Sequence, residues 1–514
     1  MESIRLVNIR SLVDSGPVRI APITVLVGQN SSGKSTFVRF LPLLRQTAEV
    51  LAREPLLWFG RFVDFGSAED AASRIAGTGG PGFDSTFAID KAAIANRRRG
   101  LFSYRASQNK EVTPVTVAIR YLNLQADKKQ YDFKLSFLDH EVSLQVNDLA
   151  VVKLQINGTD YSDMVQGKLY ASTWSACFPN LVFRDENAPD SDPFARQIVS
   201  YVRLNTHGKS QKDRVAQLAR SLIHAPLDSV LEYVVHPSGA DSIWQRTTVG
   251  WKPESTPFRR LRDWIIGTRL PEIVQIAGNA FNGQCTQVRY ITPIRASAER
   301  YYRRQGLALG EIDPQGQNVA MFLHNLSPVE KQRFMTWMGE HFGYSVDTVA
   351  TSGHISMVIR DVGDQSGSAS FNLADTGFGF SQMIPVLTQI WSLMNLRGGA
   401  LRAASTIPTV VAIEQPELHL HPRLQAVLAD LFAQAVNLAR ENGLDLRLVI
   451  ETHSEQIINR LGRRVSESSL SADDVAVVLF DKPAFALPTT VKVTGFDKDG
   501  FITDWPYGFF ETKD

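Results

Sequence analysis

Gly28-Gln29-Asn30-Ser31-Ser32-Gly33-Lys34-Ser35 fits the phosphate-loop pattern G-x-x-x-x-G-K-[ST] in full. The pattern has meaning only between a strand and a helix, and both are legible. Ile23-Thr24-Val25-Leu26-Val27 reads as a buried strand, and from Gly33 a helical stripe carries Phe37, Phe40 and Leu43 or Leu44. In that setting Gly28 and Gly33 let the backbone wrap an anion, so that N–H groups of Asn30, Ser31, Ser32 and Thr36 converge on it at a helix N-terminus. Lys34 would reach the β- and γ-phosphates, and the Ser35 hydroxyl would ligate Mg2+. The loop predicts that ATP and Mg2+ are bound here.

Length and composition set the bounds. The 514 residues are enough for two or three domains, and 44% hydrophobic with 21% charged residues is ordinary for a globular protein. A net charge of +1 argues against bulk attraction to nucleic acid, while leaving room for a local basic patch. Two cysteines, Cys177 and Cys285, cannot build a metal cluster alone and suggest a reducing compartment. No signal-peptide apolar region opens the chain, and the longest apolar helical stretch, Met383 to Met394, is too short to span a bilayer. The expectation is a cytoplasmic protein without a membrane segment.

Short strands are expected at Ile4–Ile9, Val18–Ile20 and Ile23–Val27, then a helix from Gly33 to about Arg53. Residues 54–110 read as irregular, with a loop at Thr78–Gly82, and strands dominate 113–157, where Phe133, Leu135 and Phe137 alternate with Lys134 and Ser136. Helices follow from about 214 and over 258–281. Ser327-Pro328-Val329-Glu330 is a capping box for a helix stopping near Gly343, and 354–360 with 368–373 form a strand pair. The predicted class is α/β, a nucleotide-binding domain split in sequence: residues 1–75 and 366–514 form the domain, and 76–365 are a mixed β/helical insertion.

Three further motifs lie beyond the insertion. Gly377-Phe378-Gly379-Phe380-Ser381-Gln382 opens a helix, so Gly377, Gly379, Ser381 and Gln382 would form a second anion site. The apolar strand Thr409–Ile413 ends in Glu414-Gln415-Pro416-Glu417, the Walker B arrangement in which the acid holds Mg2+. Glu417, His419 and His421 carry side chains that zinc accepts, but they begin the amphipathic helix Leu424–Ala439 and read as a turn. The strand Leu446–Ile450 ends in Glu451-Thr452-His453-Ser454, where His453 could bond a γ-phosphate or the attacking water.

The order Gly28–Ser35, Gly377–Gln382, Glu414–Pro422, Glu451–Ser454 resembles the RecF- and OLD-like branch of ABC-type ATPases. Asp64-Phe65-Gly66-Ser67-x-x-Asp70, Tyr290 to Arg295, Asp313-Pro314-Gln315-Gly316 and Asp504 to Phe510 resemble a subgroup that includes the ATPase subunits of the anti-phage systems Septu, PARIS and some retron modules. The resemblance implies a homodimer or higher oligomer with composite ATP sites, in which Gly377–Gln382 of one protomer serves the nucleotide of the other. It implies catalytic roles for Glu414, Gln415, Glu417 and His453, and Mg2+ on Ser35 and Glu414. Gln415 departs from the family pattern, which has glutamate there; an amide cannot take a proton from water, so slow hydrolysis is expected, with Glu417 the nearby replacement base. Only 61 residues follow His453, too few for an appended nuclease domain, so a separate effector (nuclease or toxin) is expected. The alternative is a RecF-like DNA-repair ATPase using basic stretches such as Arg97–Arg99, Arg259-Arg260-x-Arg262 and Arg300-x-x-Arg303-Arg304.

Overall fold

Alternation of apolar and polar residues dominates residues 112–156, and in the computed structural model it builds one large antiparallel sheet. The structure describes residues 1–75, 77, 79–96, 111–124, 129–184, 192–207, 212–306, 309–363, 370–395, 407–484 and 486–504. Arg97–Arg99 and Trp505–Phe510 lie outside the described residues. The chain forms two units: residues 1–9, 44–60 and 64–286, and residues 10–43, 61–63 and 287–514.

In the first unit, neighbouring strands run Phe178–Phe183, Leu169–Ser175, Ala150–Ile156, His140–Asn147, Gln130–Phe137, Val112–Asn123, Gly82–Asp90 and Ser3–Ile9. Register places Phe133 opposite Leu144 and Leu135 opposite Val142, so these two strands turn an apolar face to the same side. The helix Thr256–Cys285 covers that face, with Phe281 against Phe83, Phe87 and Phe178. Two expectations are corrected here. Residues 82–90 are a strand well inside the sheet, not irregular chain: Ser85 sits on the buried face between Phe83 and Phe87 and dilutes the signal. A helix expected only from about 214 already runs over Pro193–Leu204, because Asp192 caps the N–H groups of Phe194 and Ala195 and proline takes the first turn. The helix after the phosphate loop ends at Ala48 rather than Arg53, since Leu51–Ala52 pairs with Trp174 and Ser175.

In the second unit, a six-stranded sheet runs Val288–Ile291, Thr409–Glu414, Leu446–Glu451, Ile23–Gly28, Val475–Asp481 and Thr490–Thr494. All neighbours are parallel except the last pair, which is antiparallel. Continuous apolar runs suit strands buried on both faces, and Val25, Val27, Ile413, Leu448, Ile450, Val477 and Leu479 share one core with the helices Phe378–Asn395, Pro422–Glu441 and Glu455–Ser466. This sheet is α/β and split in sequence, as expected: the phosphate-loop strand is completed by strands from the far end of the chain. Val288–Ile291, read from sequence as insertion, is its edge strand, in register with Val410–Ile413.

Two local predictions are observed directly. Ser327 and Glu330 form the capping box, and Gly343 closes that helix at φ +77°. His354–Asp361 pairs with Ser370–Asn372, and Tyr344–Thr351 joins on its other edge, a strand the sequence reading lacked. Among the described residues no helix is long and apolar enough to cross a membrane.

Candidate functional site

Parallel strands that end together bring their following loops to one edge of a sheet. Here the ends are Gly28, Glu414 and Glu451, with Glu414 opposite Glu451 and Glu451 opposite Leu26. A cavity of about 350 Å3 opens at this edge, lined by Asn30 through Thr36 with Arg10, Ser11, Gln415, Glu451 and His453. Residues more than 370 positions apart thus share one wall.

The loop conformation explains its glycines. Gly28 lies at φ +155°, and a Cβ there would collide with the Phe480 carbonyl; Gly33 lies at φ +102°, with its Cβ position 2.6 Å from Ser11 Oγ. Gly28→Ala should therefore destabilise the fold by about 1–3 kcal/mol or more and impair nucleotide binding. Gly377→Ala, whose Cβ meets nothing within 4 Å, should do neither; unfolding curves compare the two.

Lys34 is buried and its Nζ donates to Gly28 O at 2.9 Å and Gln29 O at 2.7 Å. Burial lowers its pKa, and Glu451 and Glu417 oppose that shift. Ser32 Oγ is buried with no hydrogen-bond partner among the described residues. A cradle that side chains at 28 and 33 would fill, an orphaned hydroxyl and a buried cation fit a polyphosphate.

The acids are distributed differently from the sequence reading. Glu414 is 1% exposed, and Arg39 grips it from both sides, Nε to Oε1 at 2.8 Å and Nη2 to Oε2 at 2.9 Å. The Tyr290 hydroxyl donates to Oε1 as well. Burial and the adjacent Glu414 raise the Tyr290 pKa, which keeps the phenol a donor. The Ser35 hydroxyl, expected beside Glu414, donates instead to Glu451 Oε1 at 2.8 Å. Burial, then the charge of Glu414, pushes the Glu451 carboxyl up to about 7.

Gln415 lines the cavity at φ +44°, its N–H donating to Glu451 O at 2.9 Å. His453 lines it too, and burial followed by the Lys34 charge lowers its pKa, so the imidazole is neutral near pH 7 and can donate one hydrogen bond. Glu417 is absent from the cavity wall: its Oε1 accepts from His453 N at 2.7 Å, tying the two loops together. His421 caps the helix Pro422–Glu441, its Nδ1 accepting from Arg423 N. Among the described residues no group of three His, Cys, Asp or Glu could hold a metal by itself.

The second anion motif stands apart from this cavity. Gly377 is exposed, whereas Ser381 and Gln382 are buried. Gln382 accepts from Arg295 N and donates to Arg295 O. Arg295, itself 2% exposed, donates through Nη2 to Glu414 O at 2.9 Å and reaches Gln415 O. Arg39, Tyr290, Arg295 and Glu451 are residues the motif reading did not place in the site. Arg39 was legible as the residue one helical turn after Ser35, and Glu451 as a second apolar strand ending in an acid. Asp313–Gly316 clamps the loop carrying Arg295, through Thr292 N to Pro314 O and Ala296 N to Gln315 O. Asp64–Asp70 is a local turn and capping box between Ser67 and Asp70.

A family model described as an AAA ATPase domain matches residues 323–458, about a quarter of the chain. No curated protein matches. Among solved structures, the chain is similar to the SMC head domain from Thermotoga maritima at 8% identity and a TM-score of 0.34, over 96% of this chain and 97% of that one. It is similar to the SmcHead in its crystal structure with the C-winged helix domain of ScpA at 9% identity and a TM-score of 0.31, over 96% and 98%. Neither likeness is close enough to bear on function. The matched span runs through the Glu414 and Glu451 strands to His453, so the wall of the cavity opposite the phosphate loop is the part that is similar to an AAA ATPase domain.

Proposed function

We propose that the chain is an ATP-binding, slowly hydrolysing ATPase of ABC type that closes as a dimer or larger assembly and controls a separate effector subunit in anti-phage defence. The observation that carries the ATPase reading is the convergence of the phosphate loop with Gln415, Glu451 and His453 on one cavity. Asn30–Thr36 supply N–H groups to the phosphates, Lys34 a cation, and Ser35 a hydroxyl beside a carboxylate for Mg2+. Mg2+ would neutralise phosphate charge. His453 and Gln415 would orient a water, and the Gln415 amide, at the position where a carboxylate would act, cannot take its proton.

The composite dimer rests on the Gly377–Gln382 helix start. With Ser381 and Gln382 buried, the surface left for a second protomer's nucleotide is the exposed Gly377 turn. The defence role rests on the family resemblance of the local motifs. Two of the basic stretches are partly neutralised, Arg262 by Asp263 and Arg300 by Asp375, which weakens the DNA-acting alternative.

Gly377→Glu tests the assembly. A Cβ at 377 meets nothing within 4 Å, so the protomer should fold and keep its nucleotide affinity. A carboxylate facing the partner's γ-phosphate should weaken ATP-driven assembly by at least about a hundredfold, because like charges brought together cost several kcal/mol. Light scattering after gel filtration reads this. Wild-type protein that stays monomeric with ATP, or a Gly377→Glu protein that assembles normally, would count against the composite site. Co-elution of the neighbouring gene's product with the ATP-bound chain tests the effector.

A further inference from the structure

Two carboxylates end adjacent parallel strands at the cavity edge, Glu414 and Glu451, opposite each other in register. The strand of Glu451 lies directly beside the phosphate-loop strand, and that of Glu414 is one place further out. One interstrand step is about 4.8 Å, more than the reach of one metal–oxygen bond, so the two acids are not equivalent toward Ser35.

We infer that Glu451, and not the strand-end acid Glu414, is the carboxylate that works with Ser35 on the divalent cation of the bound nucleotide. This rests on the reading that the loop holds a nucleoside triphosphate. Ser35 Oγ already stands 2.8 Å from Glu451 Oε1. Glu451 is 2% exposed, and its other oxygen, Oε2, is buried with no hydrogen-bond partner among the described residues. Glu451 lines the same cavity as Lys34, Ser35 and Thr36. A buried acid with one free oxygen beside a hydroxyl is a ready pair of hard ligands, and Mg2+ commonly takes one or two carboxylates and completes its shell with phosphates and water.

Glu414 has the opposite character. Both of its oxygens are held, by the Arg39 fork and by Tyr290, and it is not part of the cavity wall. Arg39 follows Ser35 by one helical turn, and its guanidinium occupies both oxygens of Glu414. Recruiting Glu414 would require breaking a bidentate ion pair with an almost fully buried partner and bringing a dication next to a guanidinium. Keeping the pair leaves Glu414 as a positioning residue, whose own carbonyl is bonded by Arg295 and whose chain neighbour is Gln415. The Walker B strand then supplies architecture, and the metal-facing charge has moved one strand inward.

Mn2+ titration followed by electron paramagnetic resonance, on the full chain with a non-hydrolysable ATP analogue bound, tests the assignment. Affinity for the analogue in EDTA is measured in parallel. Glu451→Gln should weaken Mn2+ binding to the protein–nucleotide complex by at least about tenfold, on the scale of losses at metal sites, while binding of the analogue in EDTA is retained. Glu414→Gln should retain Mn2+ affinity and instead lower thermal stability, since Arg39 loses its bidentate partner. Should Glu451→Gln fail to fold, Glu451→Asp, which keeps the charge and shortens the reach, should still bind the analogue in EDTA and lose Mn2+ affinity. The inference is overturned if Mn2+ affinity follows Glu414 and is indifferent to Glu451. Failure of the wild type to bind the analogue at all would sink the nucleotide reading itself, and the metal assignment with it.

Discussion

Lys34→Ala is expected to weaken ATP binding by at least about a hundredfold. The side chain is 3% exposed and its ammonium stands at the mouth of the loop, bonded to the carbonyls of Gly28 and Gln29. Those carbonyls fix its direction, so little order has to be created when phosphates arrive. Charge-assisted hydrogen bonds are worth about 1.5–3 kcal/mol each. Losing two of them at 1.4 kcal/mol per decade gives the hundredfold figure. Removing the ammonium also takes away one of the cations whose charge acts on Glu451. The variant should fold, because alanine removes a desolvated charge and leaves the helix start intact. Isothermal titration with ATP reads the loss; unchanged affinity in a folded Lys34→Ala protein would mean that the loop does not hold the phosphates.

The second large effect is a gain. Gln415→Glu should speed ATP hydrolysis by about 10² or more, the low end of what a general base contributes. Wild-type turnover should be on the order of one per minute or less, from ordinary enzyme rates reduced by the missing base. The substitution is conservative in shape: both side chains accept the φ of +44° with the same Cβ, and the N–H bond to Glu451 O is unchanged. Its new carboxylate would line the cavity, where it could accept the proton that the amide cannot. Glu417→Gln should keep most of the wild-type turnover, because the amide oxygen can still accept from His453 N. Phosphate release at saturating ATP compares the three proteins. Rapid wild-type turnover that disappears in Glu417→Gln would return the base to Glu417 and refute the expectation.

How much of the site was legible can be followed residue by residue. The phosphate loop was fully readable, since its glycines answer to backbone geometry that only glycine adopts without strain: φ +155° at Gly28 and +102° at Gly33. The strand Thr409–Glu414 and helix cap Ser327–Glu330 were readable for the same local reason, as each depends on neighbours within a turn or on one apolar run. Ser85 shows where this fails: a small polar residue on the buried face of a strand breaks the alternation, and only pairing with Val117 on one side and Ile4 on the other reveals the strand.

The type of loop, the class of fold and the set of strands that end in polar residues are all encoded locally. Those properties follow from local backbone preference and from periodicity, which act over a few residues. Which acid meets Ser35 depends instead on how distant strands pack. Glu414 and Glu451 are indistinguishable as the last residue of an apolar strand, and the order of strands in the sheet is a long-range property that neither strand encodes alone. Parallel pairing sets Glu451 next to the phosphate-loop strand, and helix geometry carries Arg39 one turn past Ser35 onto Glu414. Ion pairing does the rest, leaving Glu414 gripped by the Arg39 guanidinium and Glu451 with a buried oxygen that has no hydrogen-bond partner among the described residues.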